Sequence, residues 1–226
     1  MMGSKGITVP AAEPEPISVM QALHSTPSRR FLSTEPIPDE VLWAILDAAV
    51  RGPTGGNRQS WGWVVVTDPS IKAQIAVWYR EGWQAAYGDR RDEILSAPAS
   101  STGLSGRSFL AAEYLAEHLE DAPVWVFPVL RQAAGATNPR SGSSIYGAVQ
   151  QLILAARAYG VGTTLTSLYV GHEDDVRELL GLPPDALTMA LLPLGYPCRG
   201  RWAEPRRQPL QDVVHWNQWG NSRSAP

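Results

Sequence analysis

Between residues 38 and 51 apolar side chains recur at Leu42, Ile45, Leu46 and Ala49. This i, i+3, i+4, i+7 spacing marks one face of a helix. Pro38, Asp39 and Glu40 suit its first turn, where a missing N–H is harmless and acids meet the positive end of the helix dipole. Gly52 and Pro53 end it. The same period predicts helices over 17–25, over 70–91 with Ile71, Ile75, Trp78 and Tyr79 on one stripe, over 107–120 and over 172–181. The longest apolar helix spans 144–159, with Ser143 or Ser144 as cap and Gly160 as a left-handed stop. Short β-branched and aromatic runs predict strands. The run at 61–67 reads as buried, and 124–130 as an edge or bulged strand because of Pro128. A Thr-rich run at 162–167 and a last run at 187–194 complete the set. The segment 26–38 holds too many prolines to be regular. Residues 95–106 form a long polar loop of the kind found in lids or disordered segments.

Helices and strands alternate without regular βαβ spacing and without an internal repeat, which implies one α+β domain. A Pro- and Glu-rich stretch at 1–18 reads as a flexible tail. The domain then covers 19–213, with a lid region over about 70–120, and 214–226 forms a C-terminal tail. The 226 residues are 44% apolar, enough for a sizeable core. Nineteen Lys and Arg face 22 Asp and Glu, a formal charge of -3, which argues against a nucleic-acid partner. One cysteine excludes a disulfide framework, and Cys198 reads as a packed small residue. No apolar run reaches the ~18 residues of a membrane helix, and no secretory leader is evident at the start. The expected compartment is the cytoplasm. Nine Trp against three Phe is unusual and fits an interface, a flat ligand or a Trp-rich core. Of these, Trp43 and Trp125 fall in regular elements expected to be core.

Motifs for several chemistries are missing. There is no H-E-x-x-H, no His pair at metal spacing, no G-x-S-x-G and no phosphate-binding G-x-x-x-x-G-K-[ST]. Gly160-Val161-Gly162 follows a helix rather than a strand, so a dinucleotide fingerprint fails on context. Two arginine pairs remain, Arg29–Arg30 and Arg206–Arg207, each in irregular, proline-flanked backbone. They are either a convergent phosphate grip or two solvated surface pairs.

Four blocks bear on that choice. They are Ser28-Arg29-Arg30-Phe31-Leu32-Ser33, the run from Ala48-Ala49 through Gly52-Pro53-Thr54-Gly55-Gly56-Asn57-Arg58-Gln59-Ser60-Trp61, Gly147-Ala148 through Gly160-Val161-Gly162-Thr163, and Leu192-Pro193-Leu194-Gly195-Tyr196-Pro197 followed by Arg206-Arg207-Gln208-Pro209-Leu210. In order and spacing they resemble the FMN-dependent nitroreductase family, and its iodotyrosine deiodinase-like branch in particular, over about residues 20–213. The resemblance implies a central mixed or antiparallel sheet flanked by helices, in an intertwined homodimer that shares its FMN sites. It implies that Arg30 and Arg207 hold the flavin phosphate and that Ser28 bonds the ribityl–ring region. Arg29 points elsewhere if its segment is extended. Pro53, Thr54, Gly55 and Asn57 come from the other subunit, their glycines admitting a close ring. Gly195 belongs to the fourth block. Thr166 and Ser167 lie near the flavin N5–O4 edge, or are ordinary strand residues.

Two departures matter. Pro27 stands where the family usually has an arginine that donates to the flavin C2=O side, and proline offers no donor. The lid-helix carboxylate that holds an amino-acid substrate in deiodinases falls at Trp83, while the tyrosine position is kept at Tyr87. The expectation is therefore an NAD(P)H-dependent flavoenzyme that reduces a flat electrophilic aromatic, nitroaromatic or quinone, by a ping-pong mechanism, with Trp83 and Tyr87 on the acceptor. A specialised reductive dehalogenase, a biosynthetic dehydrogenase and a flavin-sequestering protein are the alternatives.

Overall fold

A computed structural model of the chain describes residues 13–98, 103–131 and 140–223. In chain order its first elements are α1 (Val19–Ser25), α2 (Asp39–Ala49), β1 (Trp61–Val66), α3 (Pro69–Tyr87), α4 (Arg91–Ser96) and α5 (Gly106–Glu117). β2 (Val124–Arg131), α6 (Tyr146–Ala158), β3 (Gly162–Thr163), α7 (Glu173–Leu179), β4 (Ala186–Thr188) and β5 (Leu192–Gly195) follow.

The sequence of β2 dictates the layering. Alternate residues of a strand face opposite sides, and in VWVFPVL both sets are apolar. Trp125, Phe127 and Val129 enter a core with Ile75, Tyr79 and Trp83 of α3, Phe109 and Leu115 of α5, and Tyr169. Val124, Val126 and Leu130 enter a second core with Ile45 of α2 and Val149 and Leu152 of α6. An antiparallel sheet, in the order β1-β2-β5-β3 with β4 also on β2, thus lies between two helical layers. No helix among the described residues is long and apolar enough to cross a membrane.

Several expectations are corrected. β1 is an edge strand rather than a buried one, since it pairs with β2 alone and only Val66 is buried. β2, with its proline, is central. Pro128 O accepts from Met189 N–H at 2.8 Å. In an antiparallel ladder a residue's N and O face the same neighbour, so the absent N–H falls at the break between β4 and β5. That break also divides the run 187–194 into two strands. The Thr-rich run shrinks to Gly162–Thr163 plus one bridge, Thr166 with Leu191. The helix expected over 70–91 stops at Tyr87, and a turn at Gly88–Arg90 leads into α4. Neither Ser143 nor Ser144 caps α6, because the Ser143 hydroxyl donates to Arg140 O within the preceding turn. Trp125 is fully buried, but Trp43 is 55% exposed. Cys198 is exposed rather than packed. The 1–18 tail lies outside the described residues up to residue 12. Within the rest, Glu15 N–H bonds Ala158 O and Ser18 caps α1. Residues 99–102 of the long loop and 224–226 of the C-terminal tail also lie outside them.

One contact between the helical layer and the turn after β3 titrates. His172 bridges Glu81 of α3 at 2.8 Å and Asp175 of α7 at 3.0 Å, and its ring stacks on Trp78. The bond to Asp175 foremost, then that to Glu81, raises its pKa above the usual value. A raised folded-state pKa contributes stability that is fully present below ~6.5 and is lost as pH rises through the higher folded value. The melting temperature is therefore expected to fall across that window. In His172→Gln the pH dependence flattens, as thermal scans from acid to alkaline buffer will show. Equal pH dependence in both proteins removes the clamp.

Candidate functional site

The segment after Pro27 is threaded along the end of the sheet. Arg29 N–H donates to Thr163 O at 2.8 Å, Ser33 N–H to Tyr196 O at 2.8 Å, and Leu32 bridges Pro197. The two neighbouring arginines part there. The Arg29 side chain is buried. Its guanidinium donates to the carbonyls of Arg201 (2.9 Å) and Arg199 and lies over Trp202. Trp202 is covered by Arg157 as well, at 4.3 Å. Arg29 thus fastens the C-terminal segment and does not face the cleft described next, in contrast to Arg30.

Arg30 lines a cleft of about 250 Å³. Its floor is the irregular run Thr164, Leu165, Thr166, Ser167, Leu168 after β3. Thr166 is held by both backbone bonds to Leu191, at 3.0 and 2.8 Å. The wall comes from α3, where Tyr79, Trp83 and Tyr87 recur at i, i+4 and i+8 and so share one face. Ala112 and Leu115 of α5, with Leu104 before it, close the far side. Trp83 sits 4.8 Å from the Tyr87 ring and 5.2 Å from Phe109. It is therefore both core and wall, which joins the two sequence readings of it.

Arg30 is the only charged residue among the described residues lining the cleft. No hydrogen bond or ion pair to a protein group among the described residues holds its guanidinium there. Burial lowers its pKa, against an opposing influence of Tyr79 and Tyr87, yet a guanidinium keeps its charge. Burial likewise raises the Tyr79 phenol, whose hydroxyl lies 2.8 Å from Thr166 Oγ1. Nearby, the buried Thr163 Oγ1 has no hydrogen-bond partner. Among the described lining residues the cleft offers one cation, several hydroxyls able to donate, no carboxylate and one aromatic wall.

The other expected residues stand apart from it. Ser28 is exposed on the segment before Arg29. The Pro53–Asn57 stretch is a mostly exposed turn. A Cβ on Gly52, just before it, would lie 2.8 Å from Ala148, so glycine sets its approach to α6. Gly56 and Asn57 have φ of 61° and 51°, a region glycine and asparagine tolerate, and Gln59 at 49° is less usual there. Thr54 Oγ1 accepts from Gln59 N–H. Gly195 is buried in β5, where a Cβ would meet Leu32 and Pro123 at 3.1 and 3.2 Å, a packing role. Arg207 is exposed and donates to its neighbour's carbonyl. Of the two arginine pairs, only Arg30 lines the cleft. Sequence reasoning missed Tyr79, Thr164, Leu165 and Leu168. The i, i+4, i+8 aromatics of α3 were the signal for the first. Among the described residues no cluster of His, Cys, Asp and Glu could hold a metal ion.

The family model described as "Nitroreductase family" matches residues 24–196. Iodotyrosine deiodinase 1 of Rattus norvegicus is 29% identical over 193 residues, 83% of this chain and 65% of that protein. The chain thus spans about two thirds of that relative's length. A protein named NADH dehydrogenase from Thermus thermophilus is 31% identical over 205 residues, 86% of this chain and 93% of its own length. Among solved structures, oxidized iodotyrosine deiodinase bound to FMN and 3-iodo-L-tyrosine superposes with a TM-score of 0.66. It is 22% identical, and the match covers 88% of this chain and 98% of that one.

Proposed function

Since the chain belongs to the nitroreductase family, we propose that it is an FMN-dependent oxidoreductase that uses NAD(P)H to reduce a flat, electrophilic aromatic acceptor. The observation that carries this reading is the donor-rich cleft. The Arg30 guanidinium, without a partner among the described residues, and the hydroxyl-bearing Thr164, Thr166 and Ser167 line a space walled by Tyr79, Trp83 and Tyr87. That donor set fits FMN, whose pyrimidine edge and phosphate present mainly acceptors. When bound, FMN supplies hydride chemistry, and the protein orients it and tunes its electronics.

Arg30 places a positive charge at the Thr164–Ser167 run, where it favours an anionic group. Because Arg207 does not line the cleft in the same chain, we assign its part in a joint phosphate grip to a second copy. The same holds for Pro53, Thr54, Gly55 and Asn57. A homodimer is supported by the cleft's size, about 250 Å³, below the ~300–1,000 Å³ of self-contained ligand sites. It is also supported by the apolar C-terminal segment, where Leu210 and Trp219 are 69% and 90% exposed. Trp83 and Tyr87 offer the acceptor an aromatic face. With no carboxylate on the lining, an ammonium group finds no partner, which disfavours free amino acids. The nicotinamide donor is supported by the Thermus relative, and the small-molecule partner by the iodotyrosine in the related structure. A reductive dehalogenation is the second reading, favoured by the deiodinase relatives and by Tyr87.

Titrating the purified chain with FMN is expected to quench flavin fluorescence with one FMN per chain. NADH or NADPH added under nitrogen then bleaches the flavin bands, and a quinone acceptor gives parallel double-reciprocal lines. Absence of FMN binding overturns the reading. Bound FMN that neither nucleotide bleaches turns it toward the dehalogenase.

A further inference from the structure

Tyr79 serves in the reading above only as part of the aromatic wall, although it is a buried lining residue that carries a hydroxyl. Its ring is 2% exposed, packed in the core between α3, α5 and the sheet. A ring so fixed fixes its oxygen too, and that oxygen lies 2.8 Å from Thr166 Oγ1. Thr166 in turn cannot drift, because its N–H and C=O are both bonded to Leu191. Two hydroxyls held in this way share one hydrogen bond but bring two hydrogens. One hydrogen is used between them and one is left to donate elsewhere.

Arg30 decides which. Its guanidinium lines the same cleft, where its positive charge favours electron density on the Tyr79 oxygen. A cation attracts oxygen lone pairs and repels a hydroxyl hydrogen. The stable arrangement therefore has Tyr79 turning its lone pairs to Arg30 and its O–H to Thr166. Burial raises the phenol's pKa, so Tyr79 keeps the proton that it donates. Thr166 Oγ1 then accepts, and its own hydrogen is free to point into the cleft. A lone threonine rotor samples several directions; this one has a preferred one.

We propose that Tyr79 is a positioning residue that orients the Thr166 hydroxyl as a hydrogen-bond donor into the cleft. This rests on the reading that FMN seats against the Thr164–Ser167 run. The donor is then aimed at an acceptor atom on the edge of the ring, and it counts for more when that edge carries more negative charge. In this scheme Tyr79 lends its ring to the wall, and its hydroxyl bonds Thr166 rather than FMN or acceptor. It acts through Thr166, so losing its hydroxyl moves the electronics of the bound flavin more than its affinity.

The test is the two-electron midpoint potential of bound FMN, measured against a reference dye, together with the dissociation constant for oxidised FMN from fluorescence quenching. Tyr79→Phe is expected to bind oxidised FMN within about fivefold of the parent, since one neutral hydrogen bond is worth about 1 kcal/mol. Its preference for reduced over oxidised FMN falls about tenfold, a potential lower by about 30 mV. Thr166→Val shows the same shift, Thr166→Ser keeps the parent potential, and Tyr79→Phe with Thr166→Val equals Thr166→Val alone. The double variant removes both hydroxyls and leaves no buried group unpaired, so it serves even where Tyr79→Phe folds poorly. An unchanged potential in Tyr79→Phe, or a double variant lower than Thr166→Val, overturns the proposal while FMN binding stands. A parent chain that binds no FMN overturns the cofactor reading instead, and this inference with it.

Discussion

Replacing Gly82 by alanine is expected to lower the melting temperature by about 6–12 °C, the opposite of what the same change does on most helices. Gly82 lies inside α3 (Pro69–Tyr87). Alanine is the better helix former by about 1 kcal/mol, so propensity alone predicts a gain. Here a Cβ on Gly82 would lie 1.7 Å from Leu168 O and 2.8 Å from Leu168 C. These are backbone atoms, which cannot swing aside as a side chain can. The helix and the Leu168–His172 turn must separate. Overpacking of this kind costs about 3 kcal/mol at the upper end of its usual range, and each kcal/mol moves the melting temperature of a chain this size by about 2–4 °C. Leu168 follows Thr166 and Ser167 and lines the cleft, so FMN affinity is expected to fall with stability. Gly171→Ala is the control, because a Cβ there meets nothing within 4 Å and little change is expected. Calorimetry on the two variants decides the matter, and a Gly82→Ala protein as stable as the parent contradicts the close contact.

The same pair of elements shows where a sequence can be read and where it cannot. Periodicity located α2, α3, α5 and α6 because each buries one apolar face, and that face repeats locally. β2 was legible as a strand, yet its place in the sheet was not. Pro128 argues for an edge from local hydrogen bonding alone. What excuses it is the gap between β4 and β5, some 60 residues later in the chain. The Thr-rich run reads as a strand by propensity, but only Gly162–Thr163 pairs regularly. The residues after it line the cleft, so the departure from ladder geometry falls at the candidate site. The four sequence blocks and the family resemblance they carry led to Arg30, Thr166, Ser167, Trp83 and Tyr87, which line one cleft. Tyr79 escaped because a tyrosine on an apolar stripe reads as core, and by burial it is core. Only the position of Thr166 relative to α3 reveals its hydroxyl's partner. The remaining expected residues, Ser28, Pro53 to Asn57 and Arg207, do not line the cleft in one chain. In the proposed homodimer a second copy would bring Pro53 to Asn57, and no local pattern specifies that.

The adjacent arginines offer the sharpest separation of folding from binding. Arg30→Met is expected to raise the dissociation constant for FMN about 10- to 100-fold while leaving the melting temperature of the FMN-free protein unchanged or slightly higher. The two halves of that expectation have one cause. Arg30 is partly buried with no partner among the described residues, so the unliganded chain bears the desolvation of a cation without a counter-charge. Methionine, of similar length and apolar, removes that cost. FMN is an anion, and a hydrogen bond that involves a charged group is worth about 1.5–3 kcal/mol, close to a tenfold change in affinity per 1.4 kcal/mol. Arg30→Lys keeps the charge but not the planar fork, and an intermediate loss is expected. Arg29→Met predicts the reverse pattern. Its guanidinium secures the carbonyls of Arg199 and Arg201, and its loss leaves those acceptors unpaired beside Trp202. Thermal stability falls there, and FMN affinity per folded chain changes little. Fluorescence titration and thermal melts on both variants read the contrast directly. An Arg30→Met protein that binds FMN as tightly as the parent removes the cation from the site. An Arg29→Met protein that melts normally but loses FMN exchanges the roles of the two arginines.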